Sequence, residues 1–151
     1  MRTVLFVCTG NTCRSPLAEG IARHLQRNGK LPADLFFASA GTAAGDGWPM
    51  SEESAAVLLR LGATPEGHSK QLTPAMVAKA DVVLGMTRSH VAQVQALTSA
   101  VASTPTFDKI LPLDPHGDIE DPIGLGQSAY DSVANRLLEL IPKRLGEVLK
   151  Q

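Results

Sequence analysis

An α/β fold, a four-stranded parallel sheet with helices on both faces and a ligand-binding loop after the first strand, is predicted by three observations. Four β-branched or aromatic runs alternate with longer amphipathic stretches, which implies right-handed βαβ crossovers. The run "ADVVLGM" is continuous in its apolar residues, as expected of a strand covered on both faces. The first run leads through a tight polar loop straight into a helix, and in such sheets ligands bind beyond the carboxyl ends of the strands.

The elements follow in order. "RTVLFVC" (2–8) is the first strand, and "SPLAEGIARHLQRNG" (15–29) a helix with Ser15 as cap, Pro16 at its first position and Gly29 at its stop. "DLFFASAG" (34–41) is the second strand. "SEESAAVLLRLG" (51–62) is a helix capped by Ser51 and ended by Gly62. "LTPAMVAKA" (72–80) forms a short helix with Pro74 near its start, followed by the "ADVVLGM" strand (80–86), a helix over 89–99 and a fourth strand, "FDKILPL" (107–113). "DPHGDIEDPIGLGQ" (114–127), with two Asp-Pro pairs and three glycines, is a loop. The final amphipathic helix spans 128–150, and Pro142 should kink or break it.

At 151 residues the chain is expected to form a single domain over 1–151. Fourteen basic against 15 acidic residues leave a formal charge of -1, so no global field draws nucleic acid or an anionic membrane, and a small anionic substrate needs a local positive site. The opening apolar run is too short for a signal-peptide core or a spanning helix, so a soluble, cytoplasmic protein is expected. Two cysteines do not make a secreted disulfide framework.

Both cysteines lie in "VCTGNTCRSPLAE" (7–19). At a helix start, free N–H groups and the helix dipole make an anion site, here offered by Thr9, Gly10, Asn11, Thr12 and Cys13. Gly10 permits close backbone approach, Asn11 tolerates a left-handed conformation, and Arg14 supplies a planar fork for two phosphate oxygens. The same field favours the thiolate of a cysteine facing it, which makes Cys8 a candidate nucleophile that attacks phosphorus without a metal. Competing readings are a buried structural cysteine, a zinc site and a nucleotide-binding loop. Zinc needs about four ligands with close pairs, whereas the histidines are scattered, and no Gly-Lys-Ser or Gly-Lys-Thr is present.

"VCTGNTCRSP" resembles the signature of the low-molecular-weight protein tyrosine phosphatases, including their bacterial protein-arginine-phosphatase branch. "SAGT" (39–42), "HSKQLT" (68–73), "ADVVLGMT" (80–87) and "DIEDPIG" (118–124) occur in that family's order, so the likeness covers nearly the whole chain. The resemblance implies Cys8 as nucleophile, Arg14 as transition-state clamp and Asp121 as general acid, where the residues alone make Asp121 a turn starter. It implies that Ser15 hydrogen-bonds the cysteine, that Asn11, Ser39 and His68 form a polar network behind the cradle, and that Cys13 can pair with Cys8 under oxidation. It further implies phosphorylated protein substrates; no cofactor, metal, nucleic-acid or membrane partner is expected, and the sequence leaves the oligomeric state open, with a monomer favoured.

The substrate turns on Thr12. Tyrosine-directed members of the family usually carry isoleucine there, and threonine resembles the arginine branch; a hydroxyl suits a polar phosphoramidate better than a phenyl ring. Asp118, Glu120 and Asp121 would favour a cationic leaving group. Ile123 and Gly124 follow Asp-Pro where many tyrosine-directed members have aromatics and the arginine-directed pattern has phenylalanine, which argues against phenyl stacking. Trp48 either supplies an aromatic wall or covers the core edge. Phosphoarginine hydrolysis is therefore the first expectation and phosphotyrosine hydrolysis the alternative. Thioredoxin-coupled arsenate reductases share this loop but need further cysteines, and none follows Cys13. A non-catalytic phosphate-binding module would have lost the thiol or the acid.

Overall fold

The protein is described here by a computed structural model covering residues 1–101 and 108–149. Its first strand, β1 (Arg2–Cys8), is interior to the sheet. On one side it pairs with β2 (Leu35–Gly41), and on the other with β3 (Val82–Gly85), which carries β4 (Ile110–Pro112) at its far edge. All three pairings are parallel, in the order β2-β1-β3-β4. Alternation along β1 divides the core. Val4, Phe6 and Cys8 face one hydrophobic cluster with α1 (Arg14–Arg27) and the long final helix, while Leu5 and Val7 face a second cluster. Phe6 stacks on Phe37 of β2 with ring centroids 6.3 Å apart. Each such fully buried side chain contributes about 1.5–3 kcal/mol.

Helix α2 (Glu52–Arg60) packs against α1 where Gly20 leaves room, since a Cβ at Gly20 would lie 2.7 Å from Leu58 Cδ1. The second cluster is closed by α3 (Pro74–Lys79), through Val77, and α4 (Arg88–Val101), through Val94. The last helix, α5 (Gln127–Val148), contributes Tyr130, Leu137 and Ile141 to the first cluster.

The expected cap at Ser51 is formed, and Thr73 caps α3 in the same way, each hydroxyl accepting from the N–H three residues on. Ser15 does not cap α1: the helix starts one residue earlier, Cys13 occupies the cap position without a side-chain bond, and the Ser15 hydroxyl turns to Cys8 instead. Pro142 does not break α5, which continues to Val148. Packing overrides the missing hydrogen bond there, because Ile141 and Leu145 are buried and Arg144 donates from Nε and Nη2 to Pro112 O at 3.1 and 2.9 Å. The fourth strand is shorter than expected, and the parts of the predicted elements at Phe107 and Lys150 lie outside the described residues. Among the described residues, no helix is long and apolar enough to cross a membrane.

Candidate active site

The segment Thr9–Cys13 joins the carboxyl end of β1 to α1, and its neighbours hold it by its carbonyls. Thr42 N donates to Cys8 O at 2.9 Å, Ala43 N to Thr9 O at 3.0 Å, Ser51 N to Thr12 O at 2.8 Å and Ser54 Oγ to Cys13 O at 3.3 Å. Among the described residues, no N–H from Gly10 to Arg14 donates a hydrogen bond, so these groups are available to an anion. The turn requires one left-handed residue, and it is Asn11, with φ 57°.

Asn11 is held by what its side chain does. Its Oδ1 accepts from Lys70 N at 3.0 Å, and its Nδ2 donates to Ser15 Oγ at 2.8 Å and Ser39 Oγ at 3.0 Å. Ser39 Oγ in turn donates to Glu19 Oε1 at 2.7 Å, and Glu19 pairs with Arg23 one turn along α1. Because Ser15 accepts from Asn11, its own proton is free for Cys8 Sγ, 2.9 Å away. His68, expected in this network, is not hydrogen-bonded into it: the side chain is exposed at the rim, and the buried carboxylate Glu19 ends the chain of hydrogen bonds. Sequence reasoning missed Glu19. Its signal was a carboxylate one turn after Ser15 on an otherwise apolar helix face.

Across the loop stands Arg14, buried although charged. Nη1 donates to Ile119 O at 3.0 Å and Nη2 faces Asp121 Oδ2 at 3.6 Å. The other Asp121 oxygen accepts from Ile123 N at 3.1 Å, so the turn-starting role and a place beside Arg14 coexist in one carboxylate. Arg136 anchors this acidic loop through Asp114 Oδ2 at 2.6 Å and Asp118 O at 2.9 Å. Asp118 does not join Asp121 at the site, because its Oδ1 accepts from Arg88 N at 2.9 Å at the start of α4. Glu120 is exposed.

Cys8, Thr9, Gly10, Thr12, Cys13, Arg14, Asp121 and Ile123 line one cavity of about 210 Å³. Trp48 is not on its wall and is 65% exposed. Both thiols are free and buried, and Cys13 Sγ lies 3.3 Å from Tyr130 Oη; burial and this contact push the phenol pKa up. His90, also missed from sequence, sits under the loop with Nε2 2.8 Å from Thr9 Oγ1. Burial first and Arg14 second push its pKa down to about 4, against the opposite pull of Asp118 and Asp121.

Comparison with known proteins places this arrangement. A relative from Staphylococcus epidermidis, low molecular weight protein-tyrosine-phosphatase PtpB, is 32% identical over 143 residues, covering 93% of this chain and 94% of the relative. A protein-arginine-phosphatase from Geobacillus stearothermophilus is 36% identical over 148 residues, covering 97% and 95%. The solved structure of a YwlE arginine phosphatase variant, whose active-site cysteine is replaced by a phosphorylated serine, superposes with a TM-score of 0.83 at 28% identity over 95% of each chain. The family model described as low molecular weight phosphotyrosine protein phosphatase matches residues 3–151, and this chain belongs to that family of cysteine-based protein phosphatases.

Proposed function

We propose that this protein phosphatase hydrolyses phosphoarginine in proteins through a cysteinyl-phosphate intermediate. The Cys8 thiolate attacks phosphorus while the P–N bond breaks, and Asp121 gives its proton to the departing guanidine nitrogen. The N–H groups of the loop and the Arg14 fork stabilise the equatorial oxygens. A water that loses its proton to the Asp121 carboxylate then attacks the phosphorus, the P–S bond breaks, and the Ser15 hydroxyl steadies the departing sulfur. Phosphate leaves, and Cys8 and Asp121 return to their starting states.

The observation that carries the choice of substrate is the wall of the cavity. Thr12 and Asp121 stand there with Ile123, and among the described residues no aromatic side chain lines it. A hydroxyl and a carboxylate suit a polar, cationic leaving group, whereas a phenyl ring gains most from aromatic packing. The YwlE variant with phosphate on the residue replacing its cysteine supports the covalent intermediate. Phosphotyrosine is the second reading, favoured by the likeness to staphylococcal PtpB.

Matched phosphoarginine and phosphotyrosine peptides decide between them. A higher kcat/KM is expected on phosphoarginine, with Thr12→Ile shifting the ratio towards phosphotyrosine. A ratio untouched by Thr12→Ile would overturn the substrate assignment.

A further inference from the structure

The mechanism above uses neither the Thr9 hydroxyl nor His90, and their geometry fixes where the protons are. The Thr87 N–H can only donate, and it points at His90 Nδ1 at 3.2 Å, with Thr87 Oγ1 also 3.0 Å from that nitrogen. Nδ1 therefore carries a lone pair, and a neutral ring holds its proton on Nε2. That proton is donated to Thr9 Oγ1 at 2.8 Å. With its oxygen already accepting, the Thr9 hydroxyl keeps its own proton for another partner. Thr9 is exposed and lines the cavity that holds Cys8 and Arg14.

We propose that His90 orients the Thr9 hydroxyl as a donor to a phosphoryl oxygen of the substrate, which makes Thr9 a phosphate-binding side chain and His90 its positioning residue. The inference rests on the phosphatase reading and deepens it. The chain gives His90 a built seat: a Cβ at Gly85 would stand 3.2 Å from His90 Cβ and 3.0 Å from Val91 Cγ2, so glycine lets the first turn of α4 settle on β3. The ring is buried, and its facing charges are Arg14 from α1 and Asp118 and Asp121 from the acidic loop. A proton on Nδ1 would face the Thr87 N–H, donor against donor, so the seat favours the neutral ring.

Inorganic phosphate, as a competitive inhibitor of p-nitrophenyl phosphate hydrolysis, is the probe. Thr9→Val, which keeps the shape and removes the hydroxyl, is expected to raise the phosphate Ki about tenfold, while Thr9→Ser stays within about twofold of wild type. His90→Phe should raise Ki similarly, and the double variant Thr9→Val/His90→Phe should be no weaker than either single one. In 15N-labelled protein His90 should be the Nε2–H tautomer from about pH 5 upward. An active, stably folded Thr9→Val with wild-type Ki would overturn this proposal alone, as would Thr9→Ser binding no better than Thr9→Val or an Nδ1–H tautomer. Wild-type protein that neither hydrolyses p-nitrophenyl phosphate nor binds phosphate would overturn the phosphatase reading with it.

Discussion

The loop from Cys8 to Ser15 and the acidic loop from Asp114 to Gly126 face each other across one cavity, and they are built by opposite means. The first is short, fixed at both ends by a strand and a helix, and mostly buried, with Asn11 and Ser15 held by side chains from α1 and β2. The second is long and exposed, shaped by turns, and moored by Arg14 and Arg136 to its backbone and to Asp114. A group that must bind phosphate identically at each turnover suits the rigid loop. A group that must approach a variable leaving group suits the tethered one.

Four experiments test this division. The largest effect belongs to Cys8→Ser, which should lower p-nitrophenyl phosphate turnover by about 10⁴-fold or more with little change in melting temperature; wild-type turnover would remove the covalent mechanism. Next comes Asp121→Asn, with a loss of about 10²- to 10⁴-fold on phosphoarginine or phosphotyrosine peptides and a much smaller one on p-nitrophenyl phosphate, whose leaving group needs no proton. Equal losses on both kinds of substrate would deny Asp121 its role as acid.

Asn11→Ala reports on the rigidity of the first loop. It removes three side-chain hydrogen bonds and leaves alanine at φ 57°, so chemical denaturation should show a loss of about 2–3 kcal/mol. Asp121→Asn, by contrast, should leave stability within about 0.5 kcal/mol, as expected of an exposed loop residue.

The smallest effect is that of pH on stability through His90. Its folded pKa of about 4 lies below the unfolded value of 6.5, so the unfolded chain binds the extra proton between those values and stability falls as pH drops from 6.5 towards 4. The substitution His90→Gln should flatten that part of the stability profile, measured by denaturation at pH 7, 6 and 5. An unchanged slope would place the acid sensitivity elsewhere.

What could be read in advance divides along the same line. β1, its loop and α1 are contiguous, so their residue types and spacing stand together in the sequence, and Asn11 advertised its backbone conformation. Even there, the residues alone suggested Ser15 as a cap, and its bond to Cys8 was expected only from the family resemblance, because the two become neighbours only when the loop closes. Glu19 showed only as a carboxylate on an apolar helix face, with no hint of its partner, and His90 and Tyr130 were not legible because their meaning is tertiary. Each comes from a helix face and acquires a partner, Ser39, Thr9 or Cys13, on a distant element. Pro142 did not break the helix for the same reason, since local propensity was outweighed by the packing of the turns on either side. Asp118 and Asp121 look alike in "DIEDPIG", and only the docking of α4 assigns one to a helix start and the other to the cavity.

The pleat of β1 has one more consequence. Cys8 shares its side of the sheet with Val4 and Phe6, so the placement of the sulfur is a matter of parity. Deleting a single residue within β1 would exchange the two sides, setting apolar side chains and the thiol against each other: whichever register saved the core would turn the sulfur away from Ser15. Deleting two would preserve the parity and only shorten the strand. The hydrophobic code that folds this strand is thus also the code that aims its thiol, so length changes in this stretch should be tolerated, if at all, in steps of two.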